Sequence, residues 1–310
     1  MMPQTLSTAP LSTAHRVQFR NIALLTDLES GSDAALRYAG TLARWYGAKL
    51  LVAHSNASDN YVYVPATAVA MWPPLAPLPN MDAEKKALDM IARLGMQDVV
   101  AHVLTTESGM DGLLKELEDL QPDLMVLATH ARTGLRKWLA GSTTEEVFRR
   151  CHWPVLVLSP QVIAAGPNTV AIQHVLYATD LSGVSADALA YAAGIARDHD
   201  AELVNVFVEP DKTRDFTFDR VLALQRMEDW LQQHTLSHEA LHTSAEHLVR
   251  CGEPAEEILA AAKAWNADLI VLGARGLGAM SGLASHFVGG TAYQVACSAH
   301  CPTLIVPQQS

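Results

Sequence analysis

Short apolar runs recur along the chain, and segments with helical spacing of apolar residues lie between them. The runs lack polar alternation, which is typical of parallel strands covered on both faces. They are Ile22–Leu25, Leu124–Ala128, Val155–Leu158, Val175–Ala178, Leu269–Leu272 and Thr303–Val306. The strand–helix–strand order predicts right-handed crossovers and a parallel sheet, and therefore a doubly wound α/β fold.

The same pattern occurs twice. Thr26-Asp27-Leu28 matches Thr179-Asp180-Leu181 at an offset of 153 residues. At that offset the apolar stripe Ala35, Leu36, Ala39, Leu42 and Ala43 matches Ala188, Leu189, Ala192, Ile195 and Ala196. Residues 123–127 match 268–272 at an offset of 145, and His152 and Pro154 match His300 and Pro302 at 148. Three matched blocks in one order indicate a gene duplication.

The repeat predicts two tandem domains. We expect a flexible tail over residues 1–18, a first domain over 19–160, a linker over 161–169 and a second domain over 170–310. The linker contains Gly166, Pro167 and Asn168, which are typical of connecting segments. We expect the last strand of each half to lie at a sheet edge, where an apolar edge needs a partner.

Charge and cysteine content narrow the function classes. The formal net charge of −11 disfavours nucleic acid as a general partner, because phosphates repel an acidic surface. Four cysteines without framework spacing predict reduced thiols and a cytoplasmic protein. The tail lacks the pattern of a secretory signal, and no apolar stretch of about 18 residues occurs, so we expect no membrane span.

A ligand site is expected beyond the carboxyl ends of the strands, where the strand order reverses. The candidates are Asp27, Ser55, Ala128, Ala131, Gly141, Ser142 and Thr143 in the first half, and Asp180, Val208, Gly273, Gly276, Gly289, Gly290 and Thr291 in the second. Glycines let backbone N–H groups approach a phosphate, and a helix start with a hydroxyl residue adds donors. An Asp after the first strand can accept hydrogen bonds from ribose hydroxyls or an adenine amino group.

Three segments carry a family resemblance. Residues 129–135 read T-H-A-R-T-G-L, and residues 252–258 and 267–276 read G-E-P-A-E-E-I and A-D-L-I-V-L-G-A-R-G. With these motifs, the chain resembles the universal stress protein family twice over, from Phe19 to Pro307. The resemblance implies a Rossmann-like fold in each half and a role in stress response. It also implies binding of ATP, alone or with Mg²⁺, through an Asp after the first strand and the motif G-x2-G-x9-G-[ST].

Neither half matches that motif fully. The first half keeps the spacing to Gly141-Ser142 but has Ala128 and Ala131 where the family has glycines. The second half keeps Gly273 and Gly276, but twelve residues instead of nine lie between Gly276 and Gly289. Gly290 then replaces the hydroxyl residue of the motif, and Thr291 follows it. These departures are consistent with one or two working ATP sites. They are also consistent with a fold in which one or both sites have been lost.

Other segments leave alternatives open. Tyr61–Asn80 is rich in proline and aromatic residues, so it is a surface flap, a contact between domains, or an apolar lid over a lipid-like or other small ligand. Arg132, Arg136 and Lys137 either neutralise phosphates or form a solvated helix face. A third hypothesis is a signalling scaffold without a ligand.

Catalytic and metal motifs are weak. The chain has no G-x-S-x-G, H-E-x-x-H or Walker motif, so we expect a binding protein with slow ATP hydrolysis at most, and not an enzyme. Cys297, His300 and Cys301 are interpreted as a turn with a buried thiol and not as a metal site. The family resemblance implies that the two edge strands pair as an internal pseudo-dimer, and a homodimer stays open.

Overall fold

The computed structural model describes residues 17–28, 32–55, 81–96, 99, 101–106, 109–129, 147, 151–165, 171–210, 219–234, 245–274 and 290–308. The first half contains β1 (Asn21–Leu25), α1 (Ser32–Tyr46), β2 (Lys49–Ser55), α2 (Met81–Arg93), β3 (Ala101–Thr106), α3 (Gly109–Leu120), β4 (Leu124–Ala128) and β5 (Val155–Leu158). A short helix, α4 (Pro160–Ala165), follows. The second half contains β6 (His174–Thr179), α5 (Gly183–His199), β7 (Glu202–Pro210), α6 (Arg220–His234), β8 (Glu246–Gly252), α7 (Pro254–Ala264), β9 (Leu269–Ala274), α8 (Gly290–Ser298) and β10 (Thr303–Pro307).

The strands form one ten-stranded sheet in the order β3-β2-β1-β4-β5-β10-β9-β6-β7-β8. Neighbouring strands within each half are parallel, which confirms the predicted fold class. The two halves meet where β5 pairs with β10 in the antiparallel sense. Each half therefore ends at the strand predicted for its edge, and the two edges lie together at the centre of the joint sheet.

Apolar side chains fill both faces of the sheet, as continuous apolar strands require. One core contains the buried faces of α1 and α5, and the other contains those of α7 and α8. All ten residues of the two predicted helix stripes are buried. In each half the first two helices lie on one face and the third lies on the other, and this change of face where the strand order reverses leaves the carboxyl ends of the strands open to a ligand.

Left-handed backbone conformations recur at matched positions. Leu28 and Leu181 have φ values of 58° and 59°, and lie one residue beyond the Asp that follows the first strand of each half. Gln121 and Asn266, 145 residues apart, have φ values of 47° and 48°. A leucine with positive φ is strained, and such strain persists only where the surroundings enforce it. The two halves thus share backbone details beyond their apolar pattern.

A matched aspartate fastens the start of the first strand in each half. The Asp123 carboxylate accepts hydrogen bonds from the Arg20 and Asn21 backbone N–H groups, at 2.5 and 2.8 Å. The Asp268 carboxylate accepts from the Gln173 and His174 N–H groups at 2.8 and 2.9 Å. These two residues begin the matched D-L-x-V-L segments, so their repetition has a structural cause.

The predicted linker is partly helical and connects the halves through hydrogen bonds. Ser159 Oγ is fully buried and donates to the Ala299 carbonyl, and Gln161 Nε2 donates to the Ser298 carbonyl at 3.1 Å. Both carbonyls lie at the C-terminus of α8, which otherwise leaves them unsatisfied. The first half and α4 therefore hold one end of the second half's last helix.

Aromatic side chains cover the same junction on the α1 and α5 side. The His199 ring stacks on Trp45 with centroids 4.5 Å apart, and His199 Nε2 lies 3.2 Å from the Tyr46 hydroxyl. Phe19 stacks against Tyr191 with centroids 6.4 Å apart. These contacts extend the junction beyond the two paired strands. Among the described helices, none has both the length and the apolar character needed to cross a bilayer.

Candidate functional site

In the first half, Asp27 is held by a serine at the start of the next helix. Ser32 begins α1, and its hydroxyl donates to Asp27 Oδ1 at 2.8 Å while accepting from Thr26 Oγ1 at 2.7 Å. Thr26 Oγ1 in turn accepts from the Leu28 backbone N–H at 3.0 Å. The network fixes the strained Leu28 and presents an exposed carboxylate beside a helix N-terminus, where the helix dipole favours negative charge.

The second half builds the same arrangement. The Ser185 hydroxyl donates to Asp180 Oδ1 at 2.7 Å, and the Leu181 N–H donates to Thr179 Oγ1 at 3.0 Å. Two further donors, the Ser182 backbone N–H and hydroxyl, also bind Asp180 Oδ1. The second carboxylate is therefore held by more described donors than the first.

Tyr177 is hydrogen-bonded to Ser185, the serine that holds Asp180. Burial raises the pKa of Tyr177, so its hydroxyl keeps its proton and donates to the Ser185 carbonyl at 2.6 Å. In the first half the matched residue is Leu24, which has no polar group.

Both aspartates lie at the point where the strand order reverses. β1 has β2 on one side and β4 on the other, and β6 has β7 and β9. Asp27 follows β1, which pairs with β4, the strand that ends at Ala128. Asp180 follows β6, which pairs with β9, the strand that contains Gly273. The structure brings these predicted residues to the carboxyl edge of the sheet, which is the expected position for a ligand.

Gly273 is required by a close approach of the backbone. A Cβ placed on this residue would lie 2.9 Å from the Val184 carbonyl oxygen and 3.3 Å from the Ser185 Cα. The absence of a side chain therefore lets the first turn of α5, which holds Asp180, pack directly on the end of β9. At the matched position of the first half, Ala128 carries a methyl group that packs against the core.

Ser55 and Val208 are matched in sequence but differ in the structure. Ser55 is the last residue of β2 and is half-buried. Val208 lies inside β7, which continues to Pro210, and its side chain is buried in the core. The two positions differ because β7 has nine residues and continues past Val208, whereas β2 has seven and ends at Ser55. Since its side chain is buried, Val208 could offer a ligand its backbone and not its side chain.

The helix start predicted in the second half is present. α8 begins at Gly290, which is exposed, and Thr291 is half-buried in its first turn. Unpaired backbone N–H groups at such a start can bind an anion. Within the described residues, no group of three or more His, Cys, Asp or Glu side chains could hold a metal ion.

Several predicted residues lie outside the described residues. They are Ala131, Gly141, Ser142 and Thr143 in the first half, and Gly276 and Gly289 in the second. The segment Tyr61–Asn80 and the basic residues Arg132, Arg136 and Lys137 also lie outside them.

The cysteines are free, and two are deeply buried. Burial raises the pKa of Cys151 and that of Cys301 to about 12. For Cys301, the carboxylate of Asp268 adds to the effect of burial. Both side chains stay thiols near neutral pH, and thiols are poor nucleophiles and metal ligands.

Sequence reasoning missed the serines and threonines that hold the aspartates. It also missed His54, whose Nδ1 lies 2.8 Å from the carbonyl oxygen of Thr26. Ser32 and Ser185 are matched at the offset of 153, as are Thr26 and Thr179, so the same self-comparison contained the signal. His54 is matched with Phe207 and had no repeat signal to find.

Comparison with known proteins agrees with this fold. The model of the universal stress protein family matches residues 18–159 and 171–307. The chain is 29% identical over 150 residues to a universal stress protein of Synechocystis, across 43% of this chain and 96% of the relative. It is 51% identical over 55 residues to one of Thermus aquaticus, across 18% of this chain and 38% of the relative. The solved structure of a universal stress protein from Archaeoglobus fulgidus shares the fold with a TM-score of 0.68 at 19% identity, covering 94% of this chain and 97% of that one.

Proposed function

Because this chain belongs to the universal stress protein family, we propose that it is a regulatory protein that binds an adenine nucleotide, ATP in the first place, in one or both halves. The observation that carries the proposal is the pair of aspartates at the two switch points. Each is exposed and held by a helix-start serine, at 2.8 Å in the first half and 2.7 Å in the second. A rigid carboxylate acceptor at this edge suits the hydroxyl or amino donors of a nucleoside.

The start of α8 supports a place for the phosphates in the second half. Gly290 and Thr291 offer backbone N–H groups and a hydroxyl there, and groups of both kinds can donate hydrogen bonds to phosphate oxygens. Because Gly273 has no side chain, the first turn of α5, which holds Asp180, packs closely on β9. The proposed activity is binding, with nucleotide occupancy as the signal, and any Mg²⁺ would accompany the phosphates.

Calorimetric titration with ATP, with native mass spectrometry of the purified protein, tests the proposal. We expect one or two ATP molecules per chain. The Asp27→Ala and Asp180→Ala variants should each weaken one site and leave the other unchanged, since each removes one acceptor. Asp229→Ala changes an exposed carboxylate on α6 and serves as the matched control.

Each outcome has a distinct meaning. Loss of affinity in one aspartate variant alone assigns a single working site to that half. A protein that carries no nucleotide after purification and gives no heat with ATP contradicts the proposed function.

A further inference from the structure

His54 is a polar side chain at the carboxyl edge of the first half. It is the residue before the end of β2, is half-buried, and lies on the strand next to β1. Its Nδ1 is 2.8 Å from the carbonyl oxygen of Thr26, the residue directly before Asp27. The imidazole is therefore anchored to the backbone that positions the proposed ligand carboxylate.

This hydrogen bond fixes the tautomer of the ring. A carbonyl oxygen can only accept, so Nδ1 carries the hydrogen, and in the neutral ring Nε2 holds a lone pair. Within the described part of the chain, Thr26 is the hydrogen-bond partner of the ring, and the buried polar atoms without a partner are Asn205 Oδ1, Arg250 Nε and Thr303 Oγ1. Nε2 is not one of these buried unpaired atoms, and His54 is half-buried at the same edge of the sheet as Asp27.

At the matched position, the second half has an apolar residue instead of this acceptor. Phe207 occupies the matched place, directly opposite Thr179 in the sheet, and the residue is 3% exposed. The Arg226 guanidinium lies 5.4 Å from the centroid of that ring and pairs with Glu209 at 2.6 Å. An apolar ring covered by a cation replaces an imidazole acceptor.

We propose that His54 determines specificity in the first half: its Nε2 accepts a hydrogen bond from a hydroxyl or amino group of the bound nucleoside, beside the Asp27 carboxylate. The inference rests on the proposed nucleotide binding and assigns the two halves different ligand selectivity. At these two places the first half has two acceptors, Asp27 and His54, with which to distinguish nucleosides, and the second half, with Phe207 matched to His54, has Asp180.

The test uses the full chain with Asp180→Ala, so that the first half is titrated alone. ATP, 2′-deoxy-ATP and inosine triphosphate are compared by calorimetry, because the last two lack a ribose hydroxyl and the adenine amino group respectively. His54→Phe should weaken ATP binding about 5- to 10-fold, as expected for one lost hydrogen bond. The preference for ATP over the analogue that lacks the recognised donor should disappear.

Two further variants make the result specific. His54→Gln keeps an acceptor, so it should retain most of the affinity and the preference. Phe207→Leu in the chain with Asp27→Ala is the matched change in the second half, and the preference among the three nucleotides should not change. A merely structural role for His54 would instead lower affinity for all three nucleotides equally.

Nitrogen-15 NMR of the histidine rings gives a readout that does not depend on a variant. Addition of ATP to the unmodified protein should shift the Nε2 resonance of His54 and leave its Nδ1 bonded to Thr26. Wild-type affinity and preference in a folded His54→Phe, or an unmoved Nε2 resonance under saturating ATP, would overturn this inference while nucleotide binding stands. Absence of ATP binding to the unmodified protein would overturn the proposed function, and this inference with it.

Discussion

The two candidate sites keep the same support for their aspartate and differ in what surrounds it. Both have a Thr before the Asp, a left-handed Leu after it and a serine that donates to its carboxylate. Around that support, Ala128 stands where the second half has Gly273, and His54 where it has Phe207. The Thr, Leu and Ser around each carboxylate are shared, and the residues on the neighbouring strands have diverged.

The largest expected difference between the halves concerns the Gly273 position. Gly273→Ala should lower the free energy of unfolding by about 2–3 kcal/mol, because the new methyl group meets the Val184 backbone, which can move only with α5. The reverse change in the first half, Ala128→Gly, should cost about 1 kcal/mol or less. Urea denaturation followed by circular dichroism measures both.

Equal losses of unfolding free energy in Gly273→Ala and Ala128→Gly would contradict a special role for the close packing of α5 on β9. ATP titration of Gly273→Ala sharpens the comparison, since movement of α5 also moves the serine that holds Asp180. Binding in the first half should not change.

A smaller effect, equal in the two halves, is expected at the aspartates that fasten β1 and β6. Asp123→Ala and Asp268→Ala each remove an acceptor from two backbone N–H groups. Each should lower the free energy of unfolding by about 1–2 kcal/mol, since the affected strand starts are partly exposed. The Asn variants keep one acceptor oxygen and should lose less. Markedly unequal losses for the two Ala variants would show that the duplicated hydrogen bonds stabilise the two halves to different extents.

The smallest expected effect is a pH dependence at the junction of the halves. Burial lowers the pKa of His199, and the nearby Asp198 carboxylate opposes that shift. The unfolded chain therefore binds the proton more readily. The stabilisation from this group is complete above the ordinary histidine pKa of about 6.5 and is lost as the pH falls through the lower pKa of the folded protein.

Thermal unfolding between pH 8 and pH 5 measures this contribution. His199→Phe keeps a ring to stack on Trp45 without a titrating group, so its unfolding midpoint should fall less at low pH than that of the unmodified protein. Identical pH profiles would exclude a role for His199.

Much of the fold could be predicted from the sequence, because its causes are local and repeated. Apolar runs without alternation gave the parallel strands, and the stripes beginning at Ala35 and Ala188 gave the buried faces of α1 and α5. Asp27 and Asp180 could be placed at the switch points because position after a strand fixes position at the sheet edge.

The surroundings of the site were harder to predict, since they depend on contacts distant in sequence. The place of Val208 depends on where β7 ends, which the apolar pattern does not define. The anchoring of His54 depends on its register against Thr26, and the role of Ser159 on a partner 140 residues away. Such contacts carry no periodic signal.

The antiparallel pairing of β5 with β10 joins the two halves through a contact within one chain. Association of the halves is thus independent of protein concentration, and their ratio is fixed at one to one. In a dimer of identical subunits every substitution occurs twice, on both sides of the symmetry axis. Here each occurs once, so one half is free to change its binding surface while the other keeps the original.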